Sequence, residues 1–431
     1  MADGRLIALS LSALAILAMT VGIGLLATTA PAGPTAEPTG NATDVPAGGG
    51  FEGLHERGFT GENVSVGVVD VTGFDTDAPA LTDQLRATRA FGTRSVGDGP
   101  GGHGTAAATV VTRTAPAAGL YLATVGGIDG YERAMAWFET QDVDVVVAPV
   151  SFYGRPGDGS GTVGAVTERA TEAGMVVVAP SGNLAESHWR GTYDAASVEN
   201  GTVRFANGTT RTAIDGPTEV TVWLSWDDAH ADEDYTVELF RTDVPGSRLV
   251  ARSQPYQADE TPNERIVADV SPGRYALVVR GPEEPTGATV RLTSPTHEFE
   301  HARSRGSVVA PGTAHGALTV GAYDNRTDTV ESFSSRGPTG DGRPGVDVVA
   351  PNRQFAPLTE TGFVGSSAAT PYVGGLVALM LDADASLSPT EAELLVELTA
   401  RDVRRPGVDD ASGHGVVAPG RAVSAAANQT G

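Results

Sequence analysis

A chain of 431 residues is long enough to hold more than one apolar core, and its 53 acidic against 29 basic groups leave a formal charge of −24, with arginine in place of lysine throughout. Such a surface repels nucleic-acid phosphates and anionic headgroups, so neither is an expected partner, and it suits high salt, where screening removes most of the self-repulsion of a compact acidic protein. Cysteine is absent, which excludes disulfides, thiolate metal sites and a cysteine nucleophile and leaves the chemistry to oxygen and nitrogen.

The first element is an export segment. Arg5 precedes an uncharged stretch at 6–30 dominated by Leu, Ala, Ile and Val. The apolar region of a cleaved signal runs to about 7–15 residues and a spanning helix needs about 20, so residues 1–30 read as a signal peptide or an N-terminal membrane anchor. The Ala30-Pro31-Ala32 ending suits cleavage. With the positive charge on the N-terminal side, the rest of the chain is expected to be extracellular or at the cell surface. Residues 31–50, mostly Pro, Gly, Thr and Ala, read as a disordered linker. Sequons at Asn41, Asn63, Asn200, Asn207, Asn325 and Asn428 are compatible with a glycosylated surface.

From Asn63 onward, apolar runs at 64–71, 120–125, 143–150, 175–179, 318–322 and 346–350 have the length and continuity of buried parallel strands. Helical segments lie between them at 103–112, 131–140, 163–173 and 368–381. A further helix opens at Ser388-Pro389-Thr390-Glu391, where Ser388 can cap, Pro389 fits the first turn and Glu391 can bond back. The predicted class is α/β, a doubly wound, mostly parallel sheet covered on both faces, built from 51–190 and 303–428. Residues 191–302 break the pattern. Apolar and polar residues alternate there at 220–226, 235–241, 266–270 and 275–279, separated by Pro, Gly and Asp turns, which predicts an inserted antiparallel β-sandwich domain.

Three segments place a reactive side chain at a strand end or helix start beside glycine. Asp70 ends the strand Val-Gly-Val-Val-Asp70, His103 opens a small-residue helix in Gly-Gly-His103-Gly-Thr, and Ser367 lies at a helix N-terminus in Gly365-Ser366-Ser367-Ala368. Serine at its free pKa is a poor nucleophile and needs an adjacent base, and that base needs a carboxylate to fix its tautomer. A helix-start amide at Ser367 favours the negative charge of a tetrahedral intermediate. Asn183, just beyond the strand in Val-Val-Val-Ala-Pro-Ser-Gly-Asn183, could supply a second donor.

These segments resemble those of the subtilisin-like serine peptidases, the subtilases, which share the order Asp, His, Ser. With the acidic, lysine-free composition, the resemblance is to a haloarchaeal type. Val-Asp-Val-Val-Val-Ala-Pro-Val-Ser151-Phe-Tyr-Gly is similar to the family's substrate-binding strand, and Phe333-Ser-Ser-Arg-Gly-Pro-Thr, Val346-Asp-Val-Val-Ala-Pro and Gly413-His-Gly-Val-Val resemble further landmarks. The resemblance covers 55–190 and 303–424. It implies a serine endopeptidase that forms an acyl-enzyme on Ser367, with His103 as base, Asp70 orienting it, and Asn183 in the oxyanion hole. Polypeptide substrate would lie along Ser151, Phe152, Tyr153 and Gly154, and the chemistry would require no cofactor and no metal. Departures are an extra Val71 before Thr72-Gly73-Phe74, Ser366 where Thr is usual, Ala368 where Met is usual and Tyr372 where His is usual. Only the short linker stands where family members often carry a folding and inhibitory pro-region, so self-activation by that route is not expected.

Two rival readings come from the same sequence. A non-catalytic surface-binding protein on a peptidase fold is one. The other is a zinc peptidase, since His297-Glu298-Phe-Glu-His301 fits the pattern of two histidines one helical turn apart with a glutamate base. The acidic run Asp227, Asp228, Asp232, Glu233 and Asp234 reads as a solvated loop that could hold structural calcium.

Overall fold

A computed structural model describes residues 50–97, 102–256, 262–353, 362–403 and 406–429. The export segment and almost all of the linker lie outside the described residues. Among the described residues no helix is long and apolar enough to cross a membrane.

The valine-rich runs form the strands expected of them. Before the inserted region the order is α1 (Glu52–His55), β1 (Ser65–Asp70), β2 (Leu85–Phe91), α2 (Gly102–Thr114), β3 (Gly119–Val125), α3 (Ile128–Thr140), β4 (Val145–Val147), α4 (Gly161–Glu172) and β5 (Val176–Pro180). After it come strands Ala317–Asp324, Thr329–Val330 and Val348–Pro351, then α5 (Ser366–Ala383), α6 (Pro389–Thr399) and α7 (Pro419–Ala427). The sheet runs β2-β3-β1-β4-β5 and on to Ala317–Asp324, with Val348–Pro351 beside the last, and all these pairs are parallel. Only Thr329–Val330 joins antiparallel, at the edge.

Side chains that alternate along each strand feed two cores. Val66, Val68, Leu120, Val145, Val147 and Val178 pack with α2, α5, α6 and α7 on one face. Val69, Ala123, Val146 and Val177 pack with Tyr131, Trp137 and Phe138 of α3 and with α4 on the other. Burial on both faces is why the runs are continuously apolar rather than alternating. The capping box at α6 forms as expected, with the Ser388 hydroxyl accepting from the Glu391 amide and the Glu391 carboxylate accepting from the Ser388 amide. Strand β2 was not predicted. Its sequence, Leu-Arg-Ala-Thr-Arg-Ala-Phe, is mostly solvent-facing and carries two arginines, as edge strands do.

The strands between His188 and Phe299 are antiparallel and fall in two sheets. One orders Gln254–Pro255, Asn263–Asp269, Glu219–Trp226, Thr289–Thr293 and His188–Thr192. In the other, Arg248–Arg252, Thr236–Arg241 and Tyr275–Arg280 pair in sequence, and shorter strands complete it. Trp189, Val222, Leu224, Val237, Leu239, Leu277, Val279 and Leu292 from both sheets share one core. The two ends of this region are tied to each other, since the Phe299 amide donates to the Glu186 carbonyl (2.9 Å) and the Arg303 amide to the His188 carbonyl (2.7 Å).

Candidate active site

Asp70 ends β1 with its carboxylate fully buried. A buried carboxylate must have its lone pairs occupied. Oδ1 accepts the Thr72 amide (2.7 Å) and the Thr72 hydroxyl (2.8 Å), an Asx-type turn closed by the residue two positions on, and Oδ2 lies 2.6 Å from His103 Nδ1. The Thr72 hydroxyl also accepts the Gly104 amide (3.1 Å), which ties β1 to the first turn of α2. Gly104 permits the approach, because a Cβ there would lie 2.3 Å from the Gly73 carbonyl oxygen.

An acceptor-only carboxylate at Nδ1 holds the imidazole proton on that nitrogen and turns the Nε2 lone pair outward. His103 Nε2 lies 3.1 Å from Ser367 Oγ. Phe363 packs edge-on against the imidazole, with ring centroids 5.2 Å apart, and restricts its rotation. Ser367 is the second residue of α5, whose dipole and unpaired amides face it.

Asn183 reaches the same helix start. Its Oδ1 accepts the Ser366 amide (2.9 Å) and the Ser366 hydroxyl (3.1 Å), and that hydroxyl accepts the Gly182 amide (3.1 Å). With Oδ1 fixed in this way, the donor end Nδ2 lies beside Gly365, where a Cβ would sit 2.7 Å from it. Gly365 has φ 131°, a conformation that only glycine adopts readily. Asp70, His103, Ser367 and Asn183, four positions spread over nearly 300 residues of sequence, therefore meet at one point.

Ser151, Phe152, Tyr153 and Gly154 lie on the flank of this site and are all buried. The Phe152 amide donates to the Ala310 carbonyl (2.8 Å), and Tyr153 packs with Leu184, the residue after Asn183, and with Val309 and Trp223. Trp223 comes from the inserted sheets. It sits so close over Gly154 that a Cβ there would meet its ring at 2.7 Å. The wall beside Asn183 is thus partly made by the insertion.

Sequence reasoning missed two positioning groups. Thr72 closes the Asp70 turn, and the spacing Asp-x-Thr after a strand was the available signal. Ser366 stood only as a departure from the usual Thr, yet its hydroxyl links Asn183 and the Gly182 amide to the start of α5.

The zinc reading is corrected by the local structure. His297 and His301 do not share a helix; a two-residue strand, Glu298–Phe299, runs between them and pairs with Thr212–Asp215. His297 is buried against the Thr296 hydroxyl, and His301 stacks on Phe205. In the acidic run, Asp227 accepts the Thr289 amide and Glu233 pairs with His230 and Tyr235. The group of carboxylates that does converge, among the described residues, is Asp347, Glu393 and Glu397, whose ligand atoms lie within 4.8 Å of one another.

Comparison with known proteins agrees with this architecture. Residues 299–415 match the Subtilase family (Peptidase S8). Over 115 residues the chain is 35% identical to the serine protease AprX of Bacillus subtilis, a stretch that is 21% of this chain and 26% of that protein. The match thus spans about a quarter of the length of that relative. The Clostridium perfringens CspB protease superposes with a TM-score of 0.64 at 17% identity, over 90% of this chain and 97% of that one. Fervidolysin from Fervidobacterium pennivorans, a keratinolytic enzyme related to subtilisin, gives a TM-score of 0.49 at 19% identity, over 88% of this chain and 45% of that one. The chain therefore has a subtilisin-like α/β fold with added antiparallel sheets, and its stretch 299–415, which contains Ser367, carries the sequence pattern of the Subtilase family.

Proposed function

We propose that this protein is an exported serine endopeptidase that cleaves polypeptides through an acyl-enzyme on Ser367. The observation that carries the reading is the continuous chain from Asp70 Oδ2 through His103 to Ser367 Oγ, with links of 2.6 and 3.1 Å. In this mechanism His103 Nε2 takes the Ser367 proton as Oγ attacks the scissile carbonyl carbon, and Asp70 stabilises the imidazolium without itself taking the proton. The carbonyl oxygen, now negative, is held by the Ser367 amide and Asn183 Nδ2. The imidazolium then protonates the departing amine, and water repeats the sequence to release the acid. No step calls on a metal or cofactor.

The acidic, lysine-free composition supports a salt-adapted, haloarchaeal type, and the stretch 6–30 supports export with either release or retention at the membrane. The test is casein hydrolysis in about multimolar salt, used because so acidic a surface needs screening. Wild type should hydrolyse and label with a serine-directed phosphonate. Ser367→Ala should lose about a thousandfold or more of the turnover, and EDTA should leave it intact. A folded wild type that neither hydrolyses nor labels would overturn the reading in favour of a binding protein.

A further inference from the structure

A cavity of about 30 Å³ lies where the inserted sheets meet the α/β body. Residues 152–157, Arg155 among them, and 306–310 line it from the body, and His188, Ser225, Arg291 and Thr293 from the inserted sheets. In a chain with 53 acidic groups, not one carboxylate lines it.

The polar groups around it are unbalanced. Arg291 stands in register directly opposite Arg190 on the neighbouring antiparallel strand, a like-charge pairing that is unfavourable by itself. Burial lowers the Arg291 pKa and the charge of Arg190 adds to the effect, partly offset by the charges of Asp227 and Asp158. Among the described residues the Arg291 guanidinium makes no hydrogen bond or ion pair. Thr293 Oγ1 is fully buried with no hydrogen-bond partner in the protein, and so is Nε2 of His188, a residue only 1% exposed. His188 Nδ1 donates to the Arg303 carbonyl (2.7 Å), so Nε2 of the neutral ring is an acceptor. A half-buried cation beside unsatisfied buried polar atoms, with no carboxylate lining the cavity, offers a place for a counter-charge.

We propose that this seam binds a single small anion, a halide, between the guanidinium groups of Arg291 and Arg155 and the hydroxyl of Thr293. A cavity of this volume holds a halide together with one water. The water donates one proton to His188 Nε2 and the other to the anion, so the acceptor character of the imidazole is no obstacle. The bound anion pins the inserted sheets to the segment that continues from Gly154 through Arg155 to Gly157, immediately beside the wall of the active site. The inference rests on these groups alone and does not depend on the proposed peptidase activity.

The decisive experiment is a crystal of the full chain grown or soaked in bromide. An anomalous peak within hydrogen-bonding reach of Arg291 and Thr293 is expected, and its absence from this cavity overturns the proposal. In solution, chloride is titrated against gluconate at constant ionic strength, so that surface screening does not change. A ligand that binds only the folded state raises its stability with the logarithm of concentration, so the wild-type melting temperature should climb by several degrees. Thr293→Val and Arg291→Gln should lose most of that climb. A wild-type melting temperature indifferent to the exchange overturns the proposal even if Arg291→Gln fails to fold.

Discussion

Removing the Thr72 hydroxyl would leave Asp70 Oδ1 with one hydrogen bond instead of two and would untie β1 from α2. Thr72→Val is expected to cost about 1–2 kcal/mol of stability and to lower kcat about tenfold through a looser His103, with KM little changed. Thr72→Ser should restore both, which a purely structural role for the methyl group would not allow. Gly365→Ala probes the other side of the site. Its Cβ would press on Asn183 Nδ2 and its φ of 131° would be strained, so kcat should fall about 100- to 1000-fold, the range seen when an oxyanion donor is lost. Steady-state kinetics on a peptide substrate with matched melting curves would check both. At this scale Asp70, His103, Asn183 and Ser367 were legible because each sits in a short motif at an element end. Thr72 and Ser366 were not, since a hydroxyl in a turn usually only caps it, and what each of these bonds is settled by segments far away in sequence.

Between elements, close approach rather than hydrophobic area decides the geometry. Helix α5 lies so near its neighbours that a Cβ on Gly374 would meet Val147 at 2.3 Å and one on Gly375 would meet Thr114 Oγ1 at 1.7 Å. The position of Ser367 is therefore set by the buried core and not by surface loops. The junction of Gly154 with Trp223 is the comparable contact for the insertion. Gly154→Ala combines φ +69° with a clash against the ring and is expected to destabilise by about 2–4 kcal/mol. Trp223→Ala alone should cost about 3–5 kcal/mol. The double variant should be less than additive, because the ring that the added methyl group would strike is gone. Urea denaturation of the three variants measures the coupling. The parallel strands were legible because burial on both faces makes them continuously apolar. Strand β2 was invisible, for an arginine-bearing edge carries neither signal.

For the whole molecule, acidity has a local cost as well as a general one. Burial pushes Asp347 up to about 7, and burial, aided by the charges of Asp347 and Glu397, pushes Glu393 up to about 8. The unfolded carboxyls titrate near 4. Folding therefore retains protons that the unfolded chain has already lost, so stability is greatest below about pH 4 for these groups and drains away as pH rises to about 8. Glu393→Gln should remove part of this loss and stabilise the protein above pH 8 by roughly 1–3 kcal/mol, after allowing for solvent screening. Urea midpoints at pH 5 and pH 9 test it, and a variant that keeps the wild-type slope would contradict it. The alternation of apolar and polar residues made the antiparallel sheets legible from sequence. Their contact with the site was not, because it rests on a single indole meeting a glycine from a distant segment.

The bonds joining Glu186 to Phe299 and His188 to Arg303 bear on the order in which the chain folds. Were the α/β body to form first, β5 and the later strand Ala317–Asp324 would have to meet across an unstructured loop of well over 100 residues, an entropic cost of about 4 kcal/mol from the length dependence alone. If the antiparallel sheets fold first, their own register brings the two ends together, and the parallel pair closes across only the stretches 181–185 and 300–316, which lowers that cost by roughly 1.5 kcal/mol. The inserted sheets would then act as a folding template, supplying in cis a nucleus for the sheet that carries Asp70.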